Sequence, residues 1–249
     1  MSIGREFMEQ TKYKNLSKSD QERKLPQPPL EQPYDPDKPS VELPKVNPGE
    51  VTDMSLARAI AERQSRRSYN EDYLTAGELS FLLWSTQGIK TAAPKHTMRT
   101  VPSAGARHPF ETYLLINRVR NEDGGKIPGG LYRYVASEHK LVEADISAGV
   151  ARRLTAACLN QKMVAASAVT FVWAAMPYRA AWRYGERGYR YLHLDAGHVC
   201  QNLYLACEGI GAGCCAIAAF DDDAVNALIE MNGVDGFAIY LASVGRYKV

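Results

Sequence analysis

Residues 188–217 read GYRYLHLDAGHVCQNLYLACEGIGAGCCAI, and the order of the parts within them decides the fold. From Gly188 to Ile210, Tyr191, Leu194, Asp195, His198, Asn202, Leu205 and Ala206 mix polar with apolar residues on more than one helical face. That pattern predicts a long helix buried nearly all round, which is easier in a dimer than in a monomer. Gly209, Gly211 and Gly213 come next, followed by a short strand near 214–218. A dinucleotide-binding crossover needs the reverse order, strand then glycines then helix, because the pyrophosphate sits on a helix N-terminus. A doubly wound nucleotide fold is therefore disfavoured, and the glycines read as a helix C-cap and a tight turn.

Downstream, Asp221 caps a helix near 221–230 and FAIYLASV (237–244) forms a last strand. Upstream, the mostly apolar run from Met163 to Met176 ends at Pro177 and reads as a buried helix end plus a central strand, AVTFVWAAM. A helix near 147–160 precedes it. FETYLLINR (110–118) and LYRYV (131–135) are neighbouring strands separated by the loop NEDGGKIPGG. Thr75 and Glu78 make a capping box ahead of Leu79, Phe81, Leu82, Leu83 and Trp84, with Gly88 placed to stop that helix. Asp53 is placed to cap an earlier helix whose apolar positions are Met54, Leu56, Ala57, Ile60 and Ala61. There is no internal repeat, and strands alternate with helices irregularly. The expected class is α+β, with a mixed, mostly antiparallel central sheet flanked by helices.

Composition narrows the function. Of 249 residues 45% are apolar, enough for a sizeable core, and 30 Lys and Arg face 28 Asp and Glu. This lacks the positive excess of a phosphate-tracking surface, so no nucleic-acid partner is expected. The N-terminus, MSIGREFMEQTKYKN, is charged where a secretory segment is apolar, and no run reaches the ~18 apolar residues that cross a bilayer. The expected setting is cytoplasmic, away from membranes. Cys158, Cys200, Cys207, Cys214 and Cys215 read as reduced core thiols. The adjacent pair Cys214 and Cys215 points to opposite faces of a strand, a poor geometry for a redox dithiol. Residues 1–50 hold eight of the thirteen prolines and nearly balanced charge, so they are expected to form an extended arm over the globular part or a partner subunit. Residues 51–249 suit one domain.

Several chemistries drop out. His193 and His198 point to different faces of a helix and no Cys or His pair has zinc spacing, so no metal site is expected. There is no G-x-S-x-G, and Ser103 in PSAG has no base marked by spacing. What remains is a set of basic and small residues at loop positions: Arg66, Arg67 and Ser68; Pro102, Ser103, Ala104 and Gly105; and Arg246. Together they suit an anionic ligand with a flat ring, since guanidinium groups grip phosphate and glycine admits a planar system closely. Singly, each has a plainer reading as a solvated helix end, a turn or a surface charge.

In order along the chain, RRSYN, LSFLLWSTQGI, RTVPSAGARHPFETYLLI, GLYRY, YGERGYRYLHLDAGHVCQNLYLACEGIGAG and SVGR closely resemble the nitroreductase-like flavoproteins, specifically their SagB-type dehydrogenase branch. The likeness covers about residues 55–246, and IGREFMEQTKY ahead of a Pro-rich stretch also fits the branch. It implies an intertwined homodimer with FMN at the subunit interface. Arg66, Arg67 and Ser68 would contact the ribityl phosphate and ring, and Pro102 to Gly105 would pack on the ring from the other subunit. Ala216, Ile217 and Ala218 would offer backbone to the N5 side, and Arg246 would bind phosphate. The implied activity is ping-pong transfer of hydride from NAD(P)H through flavin N5 to a nitroaromatic, quinone or similar acceptor. Arg99, Tyr184 and Tyr189 are candidates for shaping the acceptor slot.

Two positions depart from the pattern. Asn70 stands where many relatives carry Lys or Arg near the flavin N1 and O2, so either an amide suffices or another cation, such as Arg99, takes over. Arg183-Tyr184 stands where azoline-oxidising members carry Lys-Tyr, and a guanidinium is a poor proton acceptor. Oxidation of azolines in a modified peptide and non-catalytic flavin binding are the rival readings.

Overall fold

The computed structural model describes residues 2–247. Its helices are α1 (Ile3–Gln10), α2 (Pro48–Val51), α3 (Leu56–Glu62), α4 (Ala76–Gln87), α5 (Val150–Ala157), α6 (Met163–Ala166), α7 (Pro177–Tyr184), α8 (Gly188–Gly209) and α9 (Asp222–Leu228). The strands are β1 (Ser40–Glu42), β2 (Leu74–Thr75), β3 (Ile89–Ala93), β4 (His96–Arg99), β5 (Phe110–Ile116), β6 (Val119–Arg120), β7 (Gly130–Val135), β8 (Lys140–Asp145), β9 (Val169–Ala175), β10 (Gly213–Ile217) and β11 (Phe237–Gly245).

Seven strands form one sheet in the order β1-β8-β7-β5-β9-β11-β10, every neighbour antiparallel. The apolar run predicted as central is β9, buried along its whole length between β5 and β11. Because strand side chains alternate, Leu114, Phe171 and Cys214 enter the core under α4 and α8, while Leu115, Val172 and Cys215 enter the core under α5, α6 and α9. This splits the cysteine pair across the sheet, and all five cysteines are buried and unpaired.

Local signals account for several ends. Thr75 and Glu78 form the reciprocal capping box of α4, and Asp221 accepts from the Ala224 N–H at the start of α9. The cap of α3 differs from expectation: Ser55, not Asp53, accepts from the Arg58 N–H, at 3.3 Å. Asp53 stands two residues too early for its carboxylate to meet the first-turn donors, whereas Ser55 is extended immediately before them.

Residues 1–50 are not extended throughout. Residues 3–10 are helical, residues 40–42 are the edge strand β1, and Leu43 is buried in the core. Between them the chain lies along its own protomer: the Gln21 N–H donates to the Trp182 carbonyl at 2.8 Å, the Trp182 indole to the Leu25 carbonyl at 3.1 Å, and Arg179 Nε to the Pro29 carbonyl at 2.9 Å. A buried carboxylate anchors its end. Glu111 pairs with Arg179 and, at 3.0 Å, with Arg133, and accepts the Gln32 N–H at 2.8 Å.

The helix α8 runs as predicted but is not buried all round. Leu192, Asp195, Ala196, Val199 and Leu203 face the core, while His193, Leu194, Gly197, His198 and Gln201 are exposed. No helix among the described residues is long and apolar enough to cross a membrane.

Candidate functional site

The Arg-Arg-Ser stretch is placed by the edge of the sheet. After α3 the chain forms a parallel bridge from Ser65 to Cys214, and the Arg66 N–H donates to the Cys214 carbonyl at 2.9 Å. Gly213 makes this approach possible, because a Cβ there would lie 2.9 Å from Arg66 Cβ and 3.2 Å from the Tyr247 ring. Arg66, Arg67 and Ser68 consequently line a cavity of about 840 Å³ with Arg58, Glu62 and Tyr247. Arg58 pairs with Glu62 at 2.8 Å and Arg66 with Glu208, which leaves Arg67 as the cavity's cation without a carboxylate partner among the described residues. The Arg66 guanidinium lies 4.2 Å from the Tyr247 ring centroid and pairs with the buried carboxylate of Glu208.

Arg246 is adjacent in the backbone but directed elsewhere. Its carbonyl accepts the Asn70 N–H at 2.8 Å, while its guanidinium donates to the Ile210 carbonyl at the end of α8 and pairs with Glu78. It does not line the Arg66 cavity. Asn70 donates to Asp72 at 2.7 Å. Arg99 is distant and buried, bonding Gln87 Oε1 at 2.8 Å, and its burial pushes its pKa down.

The Pro102–Gly105 segment forms a second centre. Ser103 Oγ donates to Asp195 Oδ2 at 2.6 Å, the Ala104 N–H donates to Asp195 Oδ1 at 3.3 Å, and the His108 N–H donates to Ser103 Oγ at 2.9 Å. Burial pushes the Asp195 carboxyl up, and the Ser103 bond works against that shift. Beyond Ser103 the backbone is left-handed at Gly105 (φ 58°), Ala106 (φ 52°) and His108 (φ 43°), an arrangement held by the surrounding bonds. At Gly105 a Cβ would collide with the Tyr184 hydroxyl, so only glycine lets Tyr184 and Arg183 close over this turn. Tyr189 is half-buried against the core, and burial raises its pKa.

On β10, the Ala216 N–H donates to the Tyr204 hydroxyl at 2.8 Å, which also bonds Ser65 at 2.8 Å. Ala216 is half-buried, Ile217 is buried and Ala218 is exposed just past the strand. Within one protomer, then, Arg66, Arg67 and Ser68 come together, whereas the Ser103 turn and Gly105 line none of their cavity. Among the described residues no group of three or more His, Cys, Asp or Glu could hold a metal.

Sequence reasoning gave no role to Glu208 or Tyr247 and gave Glu78 only its place in the capping box, because their partners at the site lie far along the chain. Asp195 carried a usable signal: a carboxylate at a helical position flanked by core positions needs a buried partner.

Two guanidinium groups and a serine at one cavity suit an anionic group. The description "Nitroreductase family" matches residues 60–246. The chain belongs to the nitroreductase family. MJ1384 of Methanocaldococcus jannaschii, which bears a nitroreductase name, is 32% identical over 197 residues, covering 79% of this chain and 93% of its own. TfxB of Rhizobium leguminosarum bv. trifolii, a trifolitoxin-processing protein, is 32% identical over 123 residues, covering 48% of this chain and 32% of that one. A crystal structure named for a nitroreductase of Anabaena variabilis superposes with a TM-score of 0.63 at 28% identity, over 76% of this chain and 37% of that longer chain.

For the nitroreductase site, the residues present fit a phosphate-bearing flavin. The Gly213 approach and the Arg66-Arg67-Ser68 cavity supply cationic and hydroxyl donors at one place.

Proposed function

We propose that this nitroreductase-family chain is an FMN-dependent oxidoreductase that carries out two-electron reduction of electrophilic acceptors such as nitroaromatics and quinones at the expense of NAD(P)H. The observation that carries the reading is the cavity at which Arg66, Arg67 and Ser68 converge beside Gly213. Bound FMN supplies the hydride-transferring ring. The chain's own residues bind and orient: Arg66 and Arg67 hold the phosphate, and Arg66 exchanges Glu208 for it. Arg246, one residue from the cavity wall at Tyr247, adds its charge by leaving Glu78. The Ser103 turn, fixed by Asp195, offers backbone against which the ring packs.

The second subunit enters the proposal through an exposed apolar face. Leu56 (65% exposed) and Ile60 (58%) on α3 and Leu194 (59%) on α8 are exposed apolar side chains that a homodimer would cover. The same pairing brings the Ser103 turn of one copy to the Arg66 cavity of the other.

Oxidation of azolines in a modified peptide is the second reading, favoured by the match to TfxB. Arg183 at the position of the expected base weighs against it. Anaerobic mixing of the flavin-loaded protein with NADH or NADPH separates the readings. Rapid bleaching at about 450 nm, followed by reoxidation with a quinone, supports the reductase; no bleaching with either nicotinamide rejects it.

A further inference from the structure

A second cavity, of about 760 Å³, lies away from the Arg66 site, between the N-terminal stretch 21–30, the tip of the β3–β4 hairpin and the Gly105–Arg107 turn. It is closed by hydrogen bonds between distant segments. Gln27 Nε2 donates to the Lys95 carbonyl at 2.8 Å across one wall, and the Trp182 indole holds Leu25 at the other. Its lining is one-sided in charge: Lys95, Arg107 and Arg183 face it, and no carboxylate does among the described residues. Apolar surface from Leu25 and Trp182 makes up much of the rest.

One of these cations is unusual. Arg107 is only 3% exposed, its Nε donates to the Arg179 carbonyl at 2.9 Å, and its plane lies 5.0 Å from the Trp182 ring, yet its Nη2 has no hydrogen-bond partner. Buried guanidinium groups are almost always satisfied, so Arg107, with an unpartnered donor and no carboxylate paired to it among the described residues, on a cavity with no acidic lining, marks a place where an anion is wanted. Burial, then Arg99, pushes the neighbouring His108 down to about 3, so that side chain is neutral.

We infer that this cavity binds a small, partly apolar anion, its carboxylate or phosphate group held by Arg107, Lys95 and Arg183 and its apolar part laid against Trp182 and Leu25. The site is built within one protomer and requires the N-terminal stretch, so it gives that stretch a binding role. It shares no lining residue with the Arg66 cavity, although Gly105 belongs both to this lining and to the turn proposed to meet the flavin ring.

Calorimetric titration of the full-length protein as purified, with benzoate, phenyl phosphate and neutral benzamide as probes, tests this. At least one anion binds, benzamide binds at least tenfold more weakly, and added salt weakens the anion; the tighter of the two anions identifies the preferred group. Lys95→Glu, at an exposed position, weakens the anion at least tenfold with FMN content unchanged, and Arg107→Gln abolishes its binding. If Arg107→Gln does not fold, Lys95→Glu decides. Equal binding of benzoate and benzamide, no binding of either anion, or an unchanged affinity in Lys95→Glu overturns the inference.

Discussion

Ser103 and Asp195, 92 residues apart, are joined by a 2.6 Å hydrogen bond that ties the glycine-containing turn to the middle of α8. The carboxylate also accepts the Ala104 N–H, and the same hydroxyl accepts the His108 N–H. One buried acid thereby orders a turn with three left-handed residues.

A double-mutant cycle on Ser103→Ala and Asp195→Asn measures that link. The expected coupling is about 1–2 kcal/mol in unfolding free energy, since both partners are largely buried and one is charged. Ser103→Ala is also expected to weaken FMN and riboflavin equally, because in the proposed site the turn meets the ring and not the phosphate. Additive single effects in the cycle contradict the structural role.

Acid stability reports on His108. Burial, then Arg99, holds its folded pKa at about 3, well below the ordinary 6.5. Between these values the unfolded chain binds a proton that the folded chain does not, so stability is fully present above pH 6.5 and is lost as pH falls toward 3. The expected slope from this group is about 1.4 kcal/mol per pH unit. Chemical denaturation across that window is expected to show a shallower acid limb in His108→Gln than in the parent; identical limbs contradict it.

Glu111 holds Arg133 and Arg179 and the Gln32 N–H in the interior. Glu111→Gln leaves two buried cations without their counter-charge and is expected to cost about 3–5 kcal/mol. It is also expected to loosen the stretch before residue 34, so limited proteolysis cuts there first. Unchanged stability and an unchanged cleavage pattern contradict the anchoring role.

The exposed face of α3 and α8 predicts association. Leu194→Arg is expected to shift the chain toward monomer in sedimentation at micromolar concentration while its melt stays cooperative. A parent chain that is already monomeric there contradicts the proposed dimer.

What the sequence revealed was local or periodic. The capping box at Thr75 and Glu78 spans three residues, and the apolar run of β9 needs no partner to be recognised. The order of helix, glycines and strand around Gly209–Gly213 was enough to disfavour a nucleotide crossover. Strand β1 was hidden because three residues, Ser40–Glu42, are strand only through pairing with Lys140–Val142. The hairpin of β3 and β4 was likewise not anticipated, because the residues that β4 buries, Thr97 and Arg99, are polar and leave no apolar alternation. At the site, the spacing of Arg66, Arg67 and Ser68 was legible, but the acids that hold Arg66 and Arg246 lie 142 and 168 residues away. No local pattern encodes such pairings.

The central claim is that Arg66 recognises the phosphate of FMN. FMN and riboflavin differ only in that group, so comparing the two isolates the contact. Arg66→Ala alone would strand the buried Glu208 carboxylate, so the decisive variant combines it with Glu208→Gln. Titration of FMN and riboflavin against Glu208→Gln and against the double variant is the measurement. The account predicts that adding Arg66→Ala weakens FMN by about 1.5–3 kcal/mol, roughly ten- to hundredfold, and leaves riboflavin nearly unchanged. Equal weakening of both flavins would contradict it, showing that Arg66 supports the fold or the ring and not the phosphate.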